Sequence, residues 1–403
     1  MTTRGKWGAS AGAPLFLLFL ALSLPACHHA RHSAENVGHD RILSSTRLDL
    51  PFDYVAGTRV IASRFLDFPA KTLLIRFSKP QTVLSSLSGW REGVVTVGNH
   101  YTAPPAWPAT YCLGLEGTEK RTMALLGLER RSSSFLYTGA DMANLAYAER
   151  ESDGFLVGVF ATAGVKGNAQ RASVDIGEYV EQGTINLIIL TNRKLAPEAM
   201  ARALVTATEA KTAALEDLDI RSSYSGKPAT GTGTDNVLVA EGSGVPAAMT
   251  GGHVKFGELM AKAVYAAVRE AIARQNGLFA QRDIGQRLAE RKIHPALLLE
   301  ESGHIGASRK AVARAVEALL DKPRYAGFLA GALALSDSQE RGLARDTSAF
   351  SSLCLAIAGE LAGKPVRGLA PAIVDESVPP VLREALNALA TGVLQKRKRA
   401  TVF

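Results

Sequence analysis

The fold is decided by the stretch Thr184-Ile185-Asn186-Leu187-Ile188-Ile189-Leu190, which is apolar enough to be a strand buried on both faces. Strands of this kind lie at the centre of sheets that helices cover. Working outward, the sequence predicts further strands at 73–77, 93–97, 133–137, 155–160 and 236–239, and helices at 118–128, 141–150, 197–218 and 253–273. This alternation favours a layered α/β domain over residues 46–275, with a mixed or largely parallel sheet.

The strand signals stop beyond Gly277, and residues 276–403 are rich in Ala, Leu, Arg and Glu at helical spacing. Examples are the runs 312–320, 350–361 and 381–394, which prolines separate from one another. We therefore predict an all-helical C-terminal extension that ends in a basic tail, 396–399. We find no chemistry-bearing motif in it.

The N-terminus has the pattern of a secretory signal peptide over residues 1–26. Arg4 and Lys6 precede an apolar run, 15–24, that is too short to span a bilayer. Cys27 directly follows Leu-x-Ala, which resembles a bacterial lipobox in which the thiol is acylated. Pro25 is unusual there, so ordinary cleavage near Ala26 stays open. We expect an exported protein, periplasmic or anchored to the outer membrane by its lipid, with 27–45 as a flexible tether.

Composition excludes several classes of protein. Hydrophobic residues make up 47% of the 403 residues, which allows a sizeable core. Lys and Arg exceed Asp and Glu by 46 to 38, but no nucleic-acid signature accompanies the excess, so nucleic acid is not the expected partner. Cys112 and Cys354 are expected to be unpaired apolar residues. No Cys-x-x-Cys occurs, and we predict no metal site.

Two histidines inside the α/β domain stand at places where function is common. His100 follows the predicted strand that ends at Val97, together with Asn99, and side chains at such strand ends face the ligand crevice of open sheets. His253 opens a helix, whose free N–H groups favour negative charge. Either residue taken alone also fits a structural role.

The segment 228–236 is rich in Thr and Gly and runs into Asp235 and a strand. Glycines let backbone amides approach a ligand, and the hydroxyls of Thr232 and Thr234 can donate or accept hydrogen bonds. On its own the segment also fits a tight turn capped by Asp235.

Other polar residues stand in apolar or small-residue surroundings. Thr184 and Asn186 lie in the central strand, where an unsatisfied polar group is costly, so each is expected to bond something specific. The further candidates are Asn168 in a small-residue loop, Glu209 in an Ala-rich helix, and the pair Lys255 and Glu258 on the next helix. Surface exposure is the common alternative for Glu209 and for that pair.

Taken in order, these segments resemble the adenosylcobinamide amidohydrolase family over about residues 45–275. The stretches that carry the resemblance are 97–100, 162–165 with 168–169, 183–186, 209–215, 229–235 and 252–258. The resemblance implies hydrolysis of the amide that joins the cobyric acid macrocycle to its aminopropanol arm, in corrinoid salvage. It implies no cofactor, because cobalt enters only with the corrinoid substrate.

The implied chemistry needs an activated nucleophile, a stabilised oxyanion and a proton for the amine. We expect His100 or His253 to act as base and acid, oriented by Asp235 or Glu258. The predicted substrate-binding residues are Asn99, Asn168, Thr184, Asn186, Glu209, Thr232, Thr234 and Lys255. Whether water or a hydroxyl such as that of Thr184 attacks is open at this stage.

Export bears on the substrate. The family acts on adenosylated corrinoids, and adenosylation uses intracellular ATP, so an exported enzyme would meet corrinoids before that step. The alternative function is a corrinoid-binding envelope lipoprotein without catalysis that feeds import machinery. A structural envelope lipoprotein is a further alternative.

Overall fold

The computed structural model describes residues 40–177 and 183–400, and the predicted signal peptide and Cys27 lie outside the described residues. The chain divides into two compact units at the boundary between Ala280 and Gln281. The first unit is built on a mixed sheet, and the second is helical. The predicted fold class, an α/β domain with a helical C-terminal part, is therefore confirmed.

Nine of the described strands form one sheet. They are β1 Arg41–Leu48, β2 Val55–Phe65, β3 Phe68–Ser85, β4 Gly89–Thr102, β5 Ser133–Thr138, β6 Ala146–Ser152, β7 Phe155–Ala163, β8 Ile185–Thr191 and β10 Asn236–Ala240. Strands β1 to β3 and β10, β8, β7 and β6 lie side by side. Strand β4 pairs with β3, and β5 pairs in parallel with β4, so that the sheet curls into a half-barrel. Two short strands, β9 Arg193–Leu195 and β11 Gly244–Ala247, pair separately.

Strand β8 lies inside the sheet, parallel to β10 and antiparallel to β7, as the opening stretch predicts. Its alternate residues belong to different cores. Ile185, Leu187 and Ile189 pack against helices on the outer face, while Ile188 and Leu190 face the inside of the half-barrel. The helices of the first unit are α1 Trp107–Leu126, α2 Pro197–Asp217 and α3 Lys255–Asn276.

Two local predictions are wrong. Residues 141–150, predicted as a helix, form a short 3-10 turn at Met142–Asn144 and then strand β6. Strand β6 is an edge strand, and its charged residues face water, so the apolar alternation of a strand is absent from its sequence. The folded part also begins earlier than expected, because 41–45 of the predicted tether belong to β1.

The second unit consists of six described helices packed around their own apolar core. They are α4 Ile284–Glu290, α5 Pro295–Glu301, α6 Arg309–Leu320, α7 Pro323–Glu340, α8 Ser348–Ala362 and α9 Pro380–Ala400. Its core includes Cys354, a free and fully buried thiol. Cys112 of α1 is disulfide-bonded, so the expectation that both thiols are unpaired is wrong for Cys112. Among the described residues, no helix is long and apolar enough to cross a membrane.

Candidate active site

A chain of buried amides and hydroxyls crosses the inside of the half-barrel at one end. The side chain of Asn99 on β4 donates to Thr162 Oγ1 on β7 at 2.9 Å. Asn186 on β8 donates to Asn99 Oδ1 at 3.0 Å and to the Tyr137 carbonyl at 2.8 Å. Because all three side chains are at most 2% exposed, each of these bonds replaces a bond to water that burial removes. The cluster ties β4 and β5 to β8, which are not neighbours in the sheet.

Thr184 connects this buried cluster to a cleft beside α1. Its hydroxyl lies 3.3 Å from Asn186 Oδ1 and 2.7 Å from the Thr234 carbonyl oxygen. A single hydroxyl proton serves one acceptor at a time, and the shorter contact is the one to Thr234. Thr184 therefore belongs to both the interior network and the cleft wall.

The cleft, called here the α1 cleft, has a volume of about 690 Å³, which is in the usual range for a small-molecule site. One wall is α1, and the opposite wall is formed by the end of β5 and the segments that lead into β8 and β10. It is lined by Leu87, Thr102, Trp107, Thr110, Tyr111, Gly114, Leu115, Thr118, Tyr137, Thr138, Gly139, Gly183, Thr184, Thr234 and Asn236.

A second pocket of about 650 Å³ adjoins the α1 cleft and shares Leu87, Leu115 and Tyr137 with it. It carries charged groups that the first cleft lacks, namely Arg91, Glu116, Glu119, Arg130 and Arg131. Arg130 is paired with both glutamates, at 3.0 and 2.7 Å. The two pockets together form a depression that is apolar at one end and charged at the other.

The Gly/Thr segment is held by a buried ion pair. Asp235 accepts hydrogen bonds from the Ile185 amide at 3.1 Å and from Thr232 Oγ1 at 2.5 Å, and it is paired with Lys211 of α2. The two charged side chains are only 14% and 8% exposed. Asp235 thus fixes the backbone at the start of β8, directly beside Thr184.

Lys211 is absent from the residues predicted from the sequence. The residue predicted on this helix is Glu209, and its side chain is exposed. The sequence does contain a signal for Lys211, because it lies four residues after Ala207 and three before Ala214, on the apolar face of an Ala-rich helix. A charged side chain on such a face requires a partner.

Asn168 and Thr234 meet at Gly183. Both side chains donate to the Gly183 carbonyl, Thr234 at 2.9 Å. Gly183 has a φ of +151°, and a Cβ there would overlap the Asn168 side chain. A glycine is therefore required at the residue that presents Thr184 to the cleft.

His100 lies within β4, not beyond its end, because the strand runs on to Thr102. It is fully buried on the outer face of the sheet, where its Nδ1 is 2.7 Å from Thr72 Oγ1 and its ring contacts Phe65 with centroids 4.8 Å apart. Burial lowers the pKa of His100 to about 4. His100 does not line the α1 cleft.

His253 and its neighbours lie on the surface at the beginning of α3. His253 is exposed, and Glu258 is paired with Lys255 at 2.8 Å and with Lys262 at 2.6 Å. The hydrogen bonds from these lysines lower the pKa of Glu258 to about 2. None of these residues lines the α1 cleft. The structure thus gathers Asn99, Asn168, Thr184, Asn186, Thr232, Thr234 and Asp235, and leaves the predicted histidines, Glu209, Lys255 and Glu258 outside the group.

Among the described residues, no group of His, Cys, Asp or Glu is arranged to hold a metal ion. The polar inventory of the α1 cleft is instead hydroxyls, one side-chain amide and backbone groups. Such groups can donate hydrogen bonds to a carbonyl oxygen and to the negative charge that develops on it when it is attacked.

Comparison with known protein families gives one match for the first unit. The family model of adenosylcobinamide amidohydrolase matches residues 52–280. An uncharacterized protein of Methanocaldococcus jannaschii is 40% identical over 225 residues, which cover 51% of this chain and 87% of that protein. Nothing in these matches supports the alternative of a corrinoid-binding protein without catalysis.

Solved structures give weaker matches. A protein of Pyrococcus horikoshii OT3 aligns with a TM-score of 0.29 and 13% identity over 61% of this chain and 86% of its own. A beta-aminopeptidase of a Burkholderia species aligns with a TM-score of 0.28 and 12% identity over 60% and 86%. On the family match and the archaeal relative, the chain belongs to the adenosylcobinamide amidohydrolase family, a family of amide hydrolases.

Proposed function

We propose that this protein hydrolyses the amide between the cobyric acid macrocycle and its aminopropanol arm, releasing cobyric acid in corrinoid salvage. The observation that carries the proposal is the position of Thr184. It is the residue at which a ligand-sized cleft meets a buried, hydrogen-bonded network of amides and hydroxyls.

Thr184 is assigned to the carbonyl oxygen of the scissile amide. The atoms nearest its hydroxyl are the Thr234 carbonyl and the Asn186 amide oxygen, and neither is basic enough to take its proton at neutral pH. The hydroxyl is therefore a hydrogen-bond donor, and water is the nucleophile. The oxygen of water bonds to the carbonyl carbon, the C–N bond breaks, and both protons of the water end on the departing nitrogen, giving a carboxylate and an ammonium ion.

The residues behind Thr184 fix its position and do not touch the substrate. Asp235 holds the Ile185 amide, and Asn186 is held by Asn99 and the Tyr137 carbonyl. The oxygen of Thr184 is thereby held in place, and only its single proton turns from the Thr234 carbonyl to the substrate oxygen, where it can stabilise the negative charge that develops.

Incubation of the purified chain with cobinamide tests the activity. Mass spectrometry is expected to detect cobyric acid and aminopropanol. We also propose that the enzyme works outside the cytoplasm, so that cobinamide without the adenosyl ligand is expected to react as well. If neither form is cleaved although the protein binds both, the proposed hydrolysis is wrong.

Substitutions at Thr184 test the assignment. Thr184→Val removes the hydroxyl at nearly constant shape and is expected to lower kcat by about 10²–10³, the usual cost of losing one oxyanion donor. Thr184→Ser keeps the hydroxyl and is expected to retain most of the activity. A full loss in His253→Ala together with an active Thr184→Val would support the histidine mechanism instead.

A further inference from the structure

We propose that the apolar side of α1, formed by the half-buried Trp107 and the exposed Tyr111 and Leu115, binds the face of the corrin macrocycle while its amide arm reaches Thr184. This inference rests on the proposed function and concerns the same cleft. It assigns a part of the substrate to each wall: the macrocycle to α1, and the reacting arm to the wall that carries Thr184 and Thr234.

The first observation is that large apolar side chains are exposed inside the cleft. Tyr111 is 76% exposed and Leu115 is 50% exposed, and both line the cleft. Trp107 lies on the same wall, with its Nε1 donating to the Thr102 carbonyl at 2.9 Å, so that the indole is fixed. Large apolar side chains side by side in a ligand-sized cleft are typical of a surface that is covered when its ligand binds.

The second observation is a break in α1. Gly114, with φ 67° and ψ 179°, interrupts the helix between Tyr111 and Leu115. In an unbroken helix these two residues, at i and i+4, would lie one above the other on a convex surface. The break separates the two helical segments, and both segments still line one cleft. A broad ligand therefore meets a wall that changes direction along its length.

The third observation is the chemistry of the adjoining pocket. Its charged and polar groups, including Arg91, Arg130 and Glu119, border the apolar wall at Leu87 and Leu115. A corrin macrocycle has an apolar face and a periphery of neutral carboxamides, which donate and accept hydrogen bonds. An apolar wall bordered by charged donors and acceptors matches that distribution.

The test uses the full chain with Tyr111→Ser, Leu115→Ser and Tyr111→Phe. Val205→Ser is the matched control, because Val205 is 43% exposed on α2 and does not line the cleft. Binding of cobinamide is followed by its visible spectrum and by quenching of tryptophan fluorescence, and hydrolysis by release of cobyric acid. All four substitutions replace exposed side chains, and thermal unfolding checks that each variant is folded.

Tyr111→Ser and Leu115→Ser are each expected to raise the Kd and KM for cobinamide about tenfold, with kcat within about twofold of the wild type. Val205→Ser is expected to bind as the wild type does, and Tyr111→Phe, which keeps the aromatic ring, is expected to bind more tightly than Tyr111→Ser. A short amide that carries the aminopropanol arm without the macrocycle is expected to react equally in all variants.

The outcomes separate the two proposals. If the wild type cleaves cobinamide and both serine variants keep its Kd and KM, the macrocycle does not bind to α1, although the hydrolase stands. A serine variant that loses kcat at an unchanged Kd also overturns the inference, because the wall would then act on the reacting amide. If the wild type neither binds nor cleaves cobinamide, the proposed function itself fails.

Discussion

Replacing Lys211 by methionine is expected to destabilise the first unit by about 3 kcal/mol, because it leaves the Asp235 carboxylate buried without its cation. Methionine is nearly as long as lysine, so little volume is lost. The estimate is at the lower end of the usual range for breaking a buried pair, since Asp235 keeps its bonds from the Ile185 amide and from Thr232. Asp235→Asn is expected to cost a similar amount, because Lys211 is then the unpaired charge.

The decisive variant combines Lys211→Met with Asp235→Asn. If the two side chains act as a pair, the double variant is more stable than the sum of the single effects predicts, by about 1–3 kcal/mol. Unfolding by guanidinium chloride is followed by tryptophan fluorescence, because all three tryptophans, at 7, 90 and 107, precede the helical unit. This signal therefore reports on the unit that contains the pair.

Lys262→Met is the control for this experiment, since Lys262 is 60% exposed in its pair with Glu258. It is expected to unfold at the denaturant concentration of the wild type. A loss of less than about 1 kcal/mol in Lys211→Met, or single effects that simply add, would refute the view that the pair holds the Gly/Thr segment.

Three further results are expected. Burial lowers the pKa of His100 from 6.5 to about 4, so as the pH falls this imidazole is protonated in the unfolded state before it is protonated in the folded state. From pH 6.5 to pH 4 the free energy of unfolding is therefore expected to fall by roughly 3 kcal/mol. His100→Gln, compared with the wild type by unfolding at several pH values, is expected to lack this loss. Gly231→Ala would push a Cβ into Asp235 and Lys211 and is expected to lower the free energy of unfolding by about 1–3 kcal/mol. Gly252→Ala is the control, because a Cβ there meets open space, and its unfolding midpoint is expected to equal that of the wild type. Equal midpoints for the two variants would contradict this packing. Burial raises the pKa of the Cys354 thiol to about 12, so a thiol reagent is expected to label it only in unfolded protein, and rapid labelling of the native chain would show that the helical core opens.

The strands and helices that were predicted correctly carry a run or a regular pattern of apolar residues. The strand at 184–190 was identifiable because both of its faces carry large apolar residues, which belong to two different cores. Strands β1, β2 and β6 were not identified; β1 and β6 are edge strands, which carry few buried apolar residues. Their pairing partners stabilise them, and a pairing partner leaves no mark on the local sequence.

The sequence likewise predicted some residues of the candidate site and not others. Thr184, Asn186 and Asp235 were predicted because a polar group inside an apolar run, or an acid after a glycine-rich segment, needs a partner. The partners Thr162 and Lys211 were missed, since they lie on other elements. His100 was placed at the end of a strand that in fact continues to Thr102, and it lies beneath α1 instead of in the cleft.

The bond between Asn99 and Asn186 has a consequence for how the protein acquires activity. It joins segments 87 residues apart, and the Thr184–Thr234 contact spans a further 50. Closing such large loops is slow, because chain entropy is lost before the contacts form. During refolding, secondary structure should therefore recover well before catalysis, and a nascent chain that has not yet emerged beyond β10 has no working site.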